Sequence, residues 1–203
     1  MANVIKLRKG LDVNLKGKAA KEEFQVKKPA VYALMPDDFT GMKPKVVVKE
    51  NDVVKVGDAL FVDKNHPEIK FVSPVSGRVT MVERGDRRKV LSVRVEADAE
   101  LQYVDFGKKS AGQMTAQEVK ALLLESGLFA FFKQRPYDVT ANPTDTPKAI
   151  FVSAFNSMPL AADFEYVLRG READFQAGLD ALAKMAKTYL GVSSKQTATA
   201  LTA

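Results

Sequence analysis

Short alternating runs of apolar and polar residues dominate the first half of the chain. They are rich in β-branched side chains and occupy residues 29–35, 44–49, 56–64, 69–79 and 89–95. Within them Phe71 and Ser73 alternate with Val72, a period of two that places successive side chains on opposite faces of a strand. Glycine, aspartate and proline stand between the runs and favour sharp turns. The pattern predicts a compact barrel or sandwich of short strands.

The runs at 56–64 and 69–79 resemble the two halves of the barrel-sandwich fold of lipoyl and biotinyl carrier domains. In those carriers a lysine at an exposed hairpin tip takes the prosthetic group, and Lys64 follows Asp63 at a comparable place. The spacing departs from the carriers, because nine residues separate Lys64 from Pro74. Lys64 is therefore either a modified carrier lysine or a solvated lysine at a hairpin tip.

The hydrophobic period changes from two to three or four in the second half. Thr115 and Glu118 form a capping-box pattern, and the helix that they begin is expected to end at Gly127. A buried-type strand and two helices should follow, the strand at 148–154 and the helices at 161–168 and 172–190. This order of elements is typical of the opening of an α/β domain.

The whole pattern predicts a mixed α+β chain, with a barrel-sandwich hybrid β domain followed by the start of a Rossmann-like α/β domain. The predicted parts are a basic arm with a first strand at 4–7 (1–28), the β domain (29–100), a helix and aromatic connector (101–147) and the α/β opening (148–203). One strand with two helices cannot pair a parallel sheet, so this last part is expected to be cut short. Its second helix would then carry a bare apolar stripe through which the chain self-associates or borrows a neighbour's surface. That stripe consists of Phe175, Leu179, Leu182 and Tyr189.

Composition excludes several kinds of chemistry. The chain has no cysteine and one histidine, His66, which excludes zinc-thiolate sites, cysteine-ligated Fe–S clusters and multi-histidine metal sites. We predict no metal site and no catalytic residue set. No run approaches the ~18 apolar residues of a membrane helix, so we expect a chain that stays in the cytoplasm.

Charge is concentrated near the start of the chain. The net charge of +6 matches residues 1–49, which hold eleven Lys and Arg against five Asp and Glu. The basic arm is either solvated or a contact for anionic lipid headgroups or an acidic partner. Nucleic acid is not expected as a partner, because no binding motif accompanies the lysines.

An aromatic segment follows the capped helix. Three Phe and one Tyr lie within nine residues and are bordered by two cations; the six residues are Phe129, Phe131, Phe132, Lys133, Arg135 and Tyr137. Aromatic runs after a helix commonly pack in a core.

Several long runs together resemble the A subunit of the Na⁺-translocating NADH:quinone reductase. They are Gly10-Leu11-Asp12, Phe71-Val72-Ser73-Pro74-Val75-Ser76-Gly77, Glu83-Arg84-Gly85-Asp86-Arg87-Arg88-Lys89-Val90-Leu91-Ser92-Val93, Glu125-Ser126-Gly127-Leu128, Arg135-Pro136-Tyr137, Lys148-Ala149-Ile150-Phe151-Val152-Ser153-Ala154 and Pro159-Leu160-Ala161-Ala162. The resemblance extends to about residue 190. Members of this family are about twice as long, so the chain resembles their N-terminal half. The family is related to the C subunit of the Rnf complex and to the flavoprotein subunit of complex I.

The resemblance implies a peripheral subunit on the cytoplasmic side of the bacterial inner membrane, in a complex that couples NADH oxidation and quinone reduction to Na⁺ export. It also implies that the flavins, the Fe–S centre and the NADH site lie on other subunits, so that this chain binds no cofactor of its own. The related flavoproteins carry a Gly-rich loop where this chain has Phe129, Phe131 and Phe132. Those bulky rings fill the space that a flavin phosphate needs.

The A subunit of this family is linked to quinone, and the aromatic segment suits a quinone chemically. A quinone head is flat and apolar with two carbonyl acceptors, so it matches aromatic faces with a cation at their edge. The expected quinone-binding residues are Phe131, Phe132, Arg135 and Tyr137, with ubiquinone or menaquinone as the substrate. Two rival interpretations are a carrier domain that uses Lys64 and a purely structural assembly subunit.

Overall fold

The computed structural model describes residues 4–6, 10, 13, 15–17, 19–107 and 109–193. Eleven strands lie in these residues: β1 (Val31–Leu34), β2 (Pro44–Val46), β3 (Val53–Val54), β4 (Ala59–Asp63), β5 (Lys70–Val72), β6 (Gly77–Arg84), β7 (Val90–Ala97), β8 (Lys133–Gln134), β9 (Val139–Thr140), β10 (Ile150–Ser153) and β11 (Thr188–Gly191). Three α-helices accompany them: α1 (Ala116–Glu125), α2 (Phe164–Val167) and α3 (Glu172–Met185). No helix in these described ranges is long and apolar enough to cross a membrane.

Two antiparallel sheets form the β domain. One has the strand order β1-β7-β6-β3 and the other the order β2-β4-β5. Side chains of both sheets meet in one core, where the rings of Phe61 and Phe71 stack with centroids 4.9 Å apart. On β7, Val93 and Val95 are buried while Arg94 between them is half-exposed. The period-two pattern in the sequence is therefore confirmed as an inward and an outward face.

The capping box predicted at the start of α1 is confirmed. The Thr115 N–H donates to a Glu118 carboxylate oxygen at 2.9 Å, and the Glu118 N–H donates to the Thr115 hydroxyl at 3.3 Å. The Lys109 ammonium also reaches the carboxylate, at 3.1 Å. Reciprocal bonds of this kind satisfy two amides that helix geometry leaves without partners.

We expect the capping contribution of Glu118 to depend on pH. The Thr115 N–H and the Lys109 ammonium lower the pKa of this carboxyl from 4.5 to about 2. A pKa lowered by folding adds stability that is complete above 4.5 and is lost as the pH falls towards 2. Thermal unfolding of the wild type and of Glu118→Gln should therefore differ most near neutral pH, with the wild type more stable, and converge in acid. A difference that does not change with pH would show that the carboxylate charge contributes nothing.

The α/β part is built around a short parallel sheet. Strand β10 pairs with β11 in parallel, and the chain between them contains α2 and α3. Helix α3 packs against α1 and buries Leu179. The end of the second α/β helix, the unpaired sheet and the membership of the apolar stripe were thus predicted wrongly, and Leu179 of that stripe is not bare. The helix ends at Met185, and residues 188–191 form β11, so the sheet does pair and Tyr189 lies on a strand rather than on the helix.

The reason for this error is a non-local pairing. The β-branched and aromatic residues Thr188 and Tyr189 suit a strand once β10 offers an unpaired edge, and such tertiary pairing outweighs local helical spacing. The other predicted α/β helix is also shorter than expected, because its helical turns cover only Phe164–Val167.

The basic arm runs beside the α/β part. The Lys21 ammonium lies 2.7 Å from the carboxylate of Asp163, which caps α2, and this bond lowers the pKa of Asp163. Residues 4–6 form no strand, so the strand predicted at 4–7 is not confirmed in its described part, and Leu7 lies outside the described residues. Residues 194–203 of the predicted α/β opening lie outside them too.

Candidate functional site

The aromatic segment, residues 128–137, is held against the β domain by Gly127. Gly127 adopts a left-handed conformation (φ +76°) after α1, and a Cβ there would lie 2.6 Å from a methyl group of Val72. Only glycine fits both the backbone and the space. The turn that follows, Leu128–Phe131, therefore lies directly on strand β5.

Two of the Phe rings of the aromatic segment belong to the core. Phe129 is 5% exposed and joins the barrel core together with Ala130. Phe132 is half-buried and stacks on Phe129, with ring centroids 5.5 Å apart. Phe132 therefore contributes to packing, and only its outer side is available to a ligand.

Phe131 and Tyr137 face outward. Their exposed fractions are 68% and 75%. The Phe131 ring meets Phe39 edge-on at 6.0 Å, and Phe39 meets the buried Phe71 at 4.5 Å. These rings form a continuous row from the core to the surface. Phe39 was missed in the sequence, where it lies alone in an acidic, glycine-containing loop that gives no local signal.

Arg135 and Lys133 supply positive charge beside these rings. Both side chains are exposed; Arg135 lies 3.5 Å from the Asp138 carboxylate, and Lys133 has no ion pair among the described residues. An exposed pair such as that of Arg135 and Asp138 contributes little stability, so its guanidinium can change partner at low cost.

The hairpin of β8 and β9 fixes this surface relative to the loop before β2. The Thr140 N–H donates to the Thr40 carbonyl at 2.9 Å, and the Ala141 N–H donates to the Phe132 carbonyl at 2.9 Å. A Cβ on Gly41 would approach Val139 to 2.7 Å, so the loop and the hairpin are in close contact. The exposed rings and cations therefore lie on an open surface that these contacts hold in place, and not inside a cavity.

Lys64 lies at the tip of the hairpin of β4 and β5, as expected from the sequence. Its side chain is exposed, and its N–H donates to the Lys43 carbonyl at 2.7 Å. The neighbouring Asp63 is buried, and its carboxylate accepts from the Lys43 and Asn65 amides at 3.3 and 3.0 Å. Asp63 thus orders the tip, and Lys64 extends from it into solvent.

The two sheets and the parallel β-α-β unit together define a barrel-sandwich hybrid domain followed by an α/β domain. Residues 5–98 match the family described as the NqrA N-terminal barrel-sandwich hybrid domain, and residues 114–203 match the NqrA second alpha/beta domain. The chain therefore belongs to the NqrA family, the A subunits of the Na⁺-translocating NADH-quinone reductases.

Curated relatives agree with this family. The chain is 36% identical over 191 residues to the A subunit of the Na⁺-translocating NADH-quinone reductase of Pseudomonas aeruginosa strain UCBPP-PA14, an alignment of 92% of this chain and 42% of the relative. It is 37% identical over 186 residues to the same subunit of Serratia proteamaculans strain 568, covering 90% and 41%. The chain thus spans about two fifths of the length of these relatives. These matches give no support to the carrier-domain alternative at Lys64.

Proposed function

We propose that the chain acts as part of the NqrA subunit of a Na⁺-translocating NADH:quinone reductase, which couples NADH oxidation and quinone reduction to Na⁺ export. The observation that carries the proposal is the family match over both domains in order, at residues 5–98 and 114–203. In this proposal the chain is peripheral, on the cytoplasmic side of the bacterial inner membrane, and binds the other subunits of the complex.

The proposed role of the chain in the complex is contact with the quinone through Phe131, Phe132, Arg135 and Tyr137. The outward rings of Phe131 and Tyr137 support it, because they offer aromatic faces to a planar head. The exposed guanidinium of Arg135 can donate to a quinone carbonyl. Ubiquinone and menaquinone both have this chemistry, so either can be the substrate.

The flavins and the Fe–S centre are assigned to other subunits in this proposal. A phosphate-binding loop needs free backbone amides and open space. In the turn after Gly127 the Ala130 N–H donates to the Gly127 carbonyl and the Phe132 N–H to the Phe129 carbonyl, while the Phe129 ring is buried there. These amides are therefore not directed at a ligand.

We expect the purified chain to bind no flavin. The reason is the turn after Gly127, where the Ala130 and Phe132 amides already have backbone partners and the Phe129 ring is buried. The measurement is the visible absorption spectrum of the purified chain, followed by denaturation and chromatography of the supernatant. A stoichiometric yellow chromophore that is released as FMN would contradict the prediction.

The proposed function itself is tested by reconstitution. Membranes from a strain that lacks NqrA should oxidise NADH with an artificial acceptor but should not reduce quinone, and full-length NqrA should restore quinone reduction and Na⁺ uptake. Membranes that reduce quinone equally well without NqrA would show that it is an assembly or accessory component. Full-length NqrA that restores nothing would overturn the proposal.

A further inference from the structure

The β6–β7 hairpin ends in a two-residue turn whose central side chains are unusual for its backbone conformation. Asp86 and Lys89 close it, with the Lys89 N–H donating to the Asp86 carbonyl at 3.1 Å. The two central residues, Arg87 and Arg88, both have positive φ, at 53° and 61°. This is the pattern of a type I′ turn, whose central positions strongly favour Asn and Gly because a Cβ is strained there.

Arginine is thus a poor choice for the stability of this turn at two successive positions. Strained backbone in an L-residue points to a role for the side chain it presents, since an Asn-Gly pair would make the same turn with less strain. Neither guanidinium has an ion pair among the described residues. Both side chains are exposed, so they are free to meet a partner.

The turn is held in place by contacts around it. The Gly85 N–H donates to the Lys89 carbonyl at 2.8 Å, and the Lys89 ammonium lies 2.6 Å from the Asp37 carboxylate in the loop after β1. The Arg84 guanidinium donates to the Arg88 carbonyl at 3.4 Å. An anchored tip loses little conformational entropy when it docks, which favours its use in recognition.

We propose that this basic tip, residues 84–89, docks into a carboxylate-lined concave surface of another protein subunit. Three guanidinium groups and one carboxylate remain in these six residues once Lys89 is paired with Asp37, so the complementary surface is acidic. Guanidinium groups bind carboxylates through two parallel hydrogen bonds, a geometry that lysine cannot reproduce. This inference rests on the proposed function for the source of the partner, which is the rest of the reductase complex.

A protein surface is favoured over an anionic membrane by the shape and composition of the tip. The basic tip, residues 84–89, contains no apolar side chain that could enter a bilayer. A narrow, polar tip that is held in place can enter a cleft of a protein partner.

The test exploits the conflict between turn stability and docking. In full-length NqrA, the double variant Arg87→Asn with Arg88→Gly should raise the thermal unfolding midpoint by a few degrees, because it relieves strain. The same variant should bind about tenfold more weakly to the purified reductase complex that lacks NqrA, and the salt dependence of binding should become shallower. The matched control, Lys148→Gln with Lys184→Gln, removes the same charge from exposed lysines of the α/β part and should bind like the wild type.

Each contrary result identifies what is wrong. Wild-type NqrA that does not bind the remaining complex overturns both the proposed function and the docking surface. A double variant that binds as tightly as the wild type overturns the docking surface alone. Loss of binding to phosphatidylglycerol vesicles, with binding to the complex retained, would show that the tip contacts lipid instead. Equal binding by Arg87→Lys with Arg88→Lys would overturn the proposed guanidinium recognition.

Discussion

Replacing Gly77 by Ala should lower the free energy of unfolding by about 3–5 kcal/mol, the largest loss of stability that we expect from any glycine in the chain. Gly77 begins β6 with φ +154°, and a Cβ there would lie 1.8 Å from the Glu96 carbonyl oxygen on β7. That oxygen belongs to backbone, so it cannot rotate away as a side chain would. The Asp98 N–H bond to the Ser76 carbonyl, at 2.8 Å, holds β7 at the same level and resists a shift of the strand.

The measurement is chemical denaturation of both proteins, followed by circular dichroism. Gly178 is the matched control, because it is exposed on α3 with nothing within 4 Å of its Cβ position and no positive φ. Gly178→Ala should stabilise the protein by about 0.5–1 kcal/mol through helix propensity. A Gly77→Ala protein that unfolds within about 1 kcal/mol of the wild type would show that the two strands separate easily at this point.

Local patterns predicted the elements whose neighbours are near in sequence. The alternation around Phe71 and Val93 fixes which side of a strand is buried, and a hairpin partner is only a few residues away. The capping box of Thr115 and Glu118 is contained in one helical turn, so it too could be found in the sequence. The class of fold follows from these local features together with the family resemblance.

The elements that the sequence did not predict correctly depend on pairing between residues that are far apart in the chain. Strand β11 lies more than thirty residues after its partner β10, and its residues continue the spacing of α3, so a helix was the natural expectation. Val4 and Ile5 are β-branched, but residues 4–6 pair with no strand among the described residues. In each case the presence or absence of a strand depends on pairing with the rest of the fold, and the local sequence preference does not determine it.

In the candidate site, too, local features were evident in the sequence and long-range contacts were not. The composition of the aromatic segment was evident in the sequence, but the exposure of each ring depends on the turn after Gly127. That turn directs Phe129 inward and leaves Phe131 outward, although both are phenylalanines two residues apart. The contact of Phe131 with Phe39 joins segments about ninety residues apart and has no local signature.

The exposure of these rings allows a sharper test of quinone contact. Phe131→Ala and Tyr137→Ala in full-length NqrA should each lower quinone reduction by the assembled complex by about tenfold, because they remove aromatic area worth about 1.4 kcal/mol. Arg135→Gln should lower it through the loss of a charged donor. Oxidation of NADH by an artificial acceptor should stay unchanged in all three variants. Since Phe131 and Tyr137 are 68% and 75% exposed, their loss should leave the fold intact.

Two further variants separate ligand contact from packing. Tyr103→Ala removes an aromatic side chain that is 65% exposed and lies outside the aromatic segment, so it should leave both activities unchanged. Phe129→Ala empties a core position that is 5% exposed and should destabilise the protein by about 3–5 kcal/mol, lowering both activities together. Phe132→Ala should fall between these cases, because its ring stacks on Phe129 and is only half-buried. If Phe131→Ala and Tyr137→Ala behave like Tyr103→Ala, the quinone binds elsewhere.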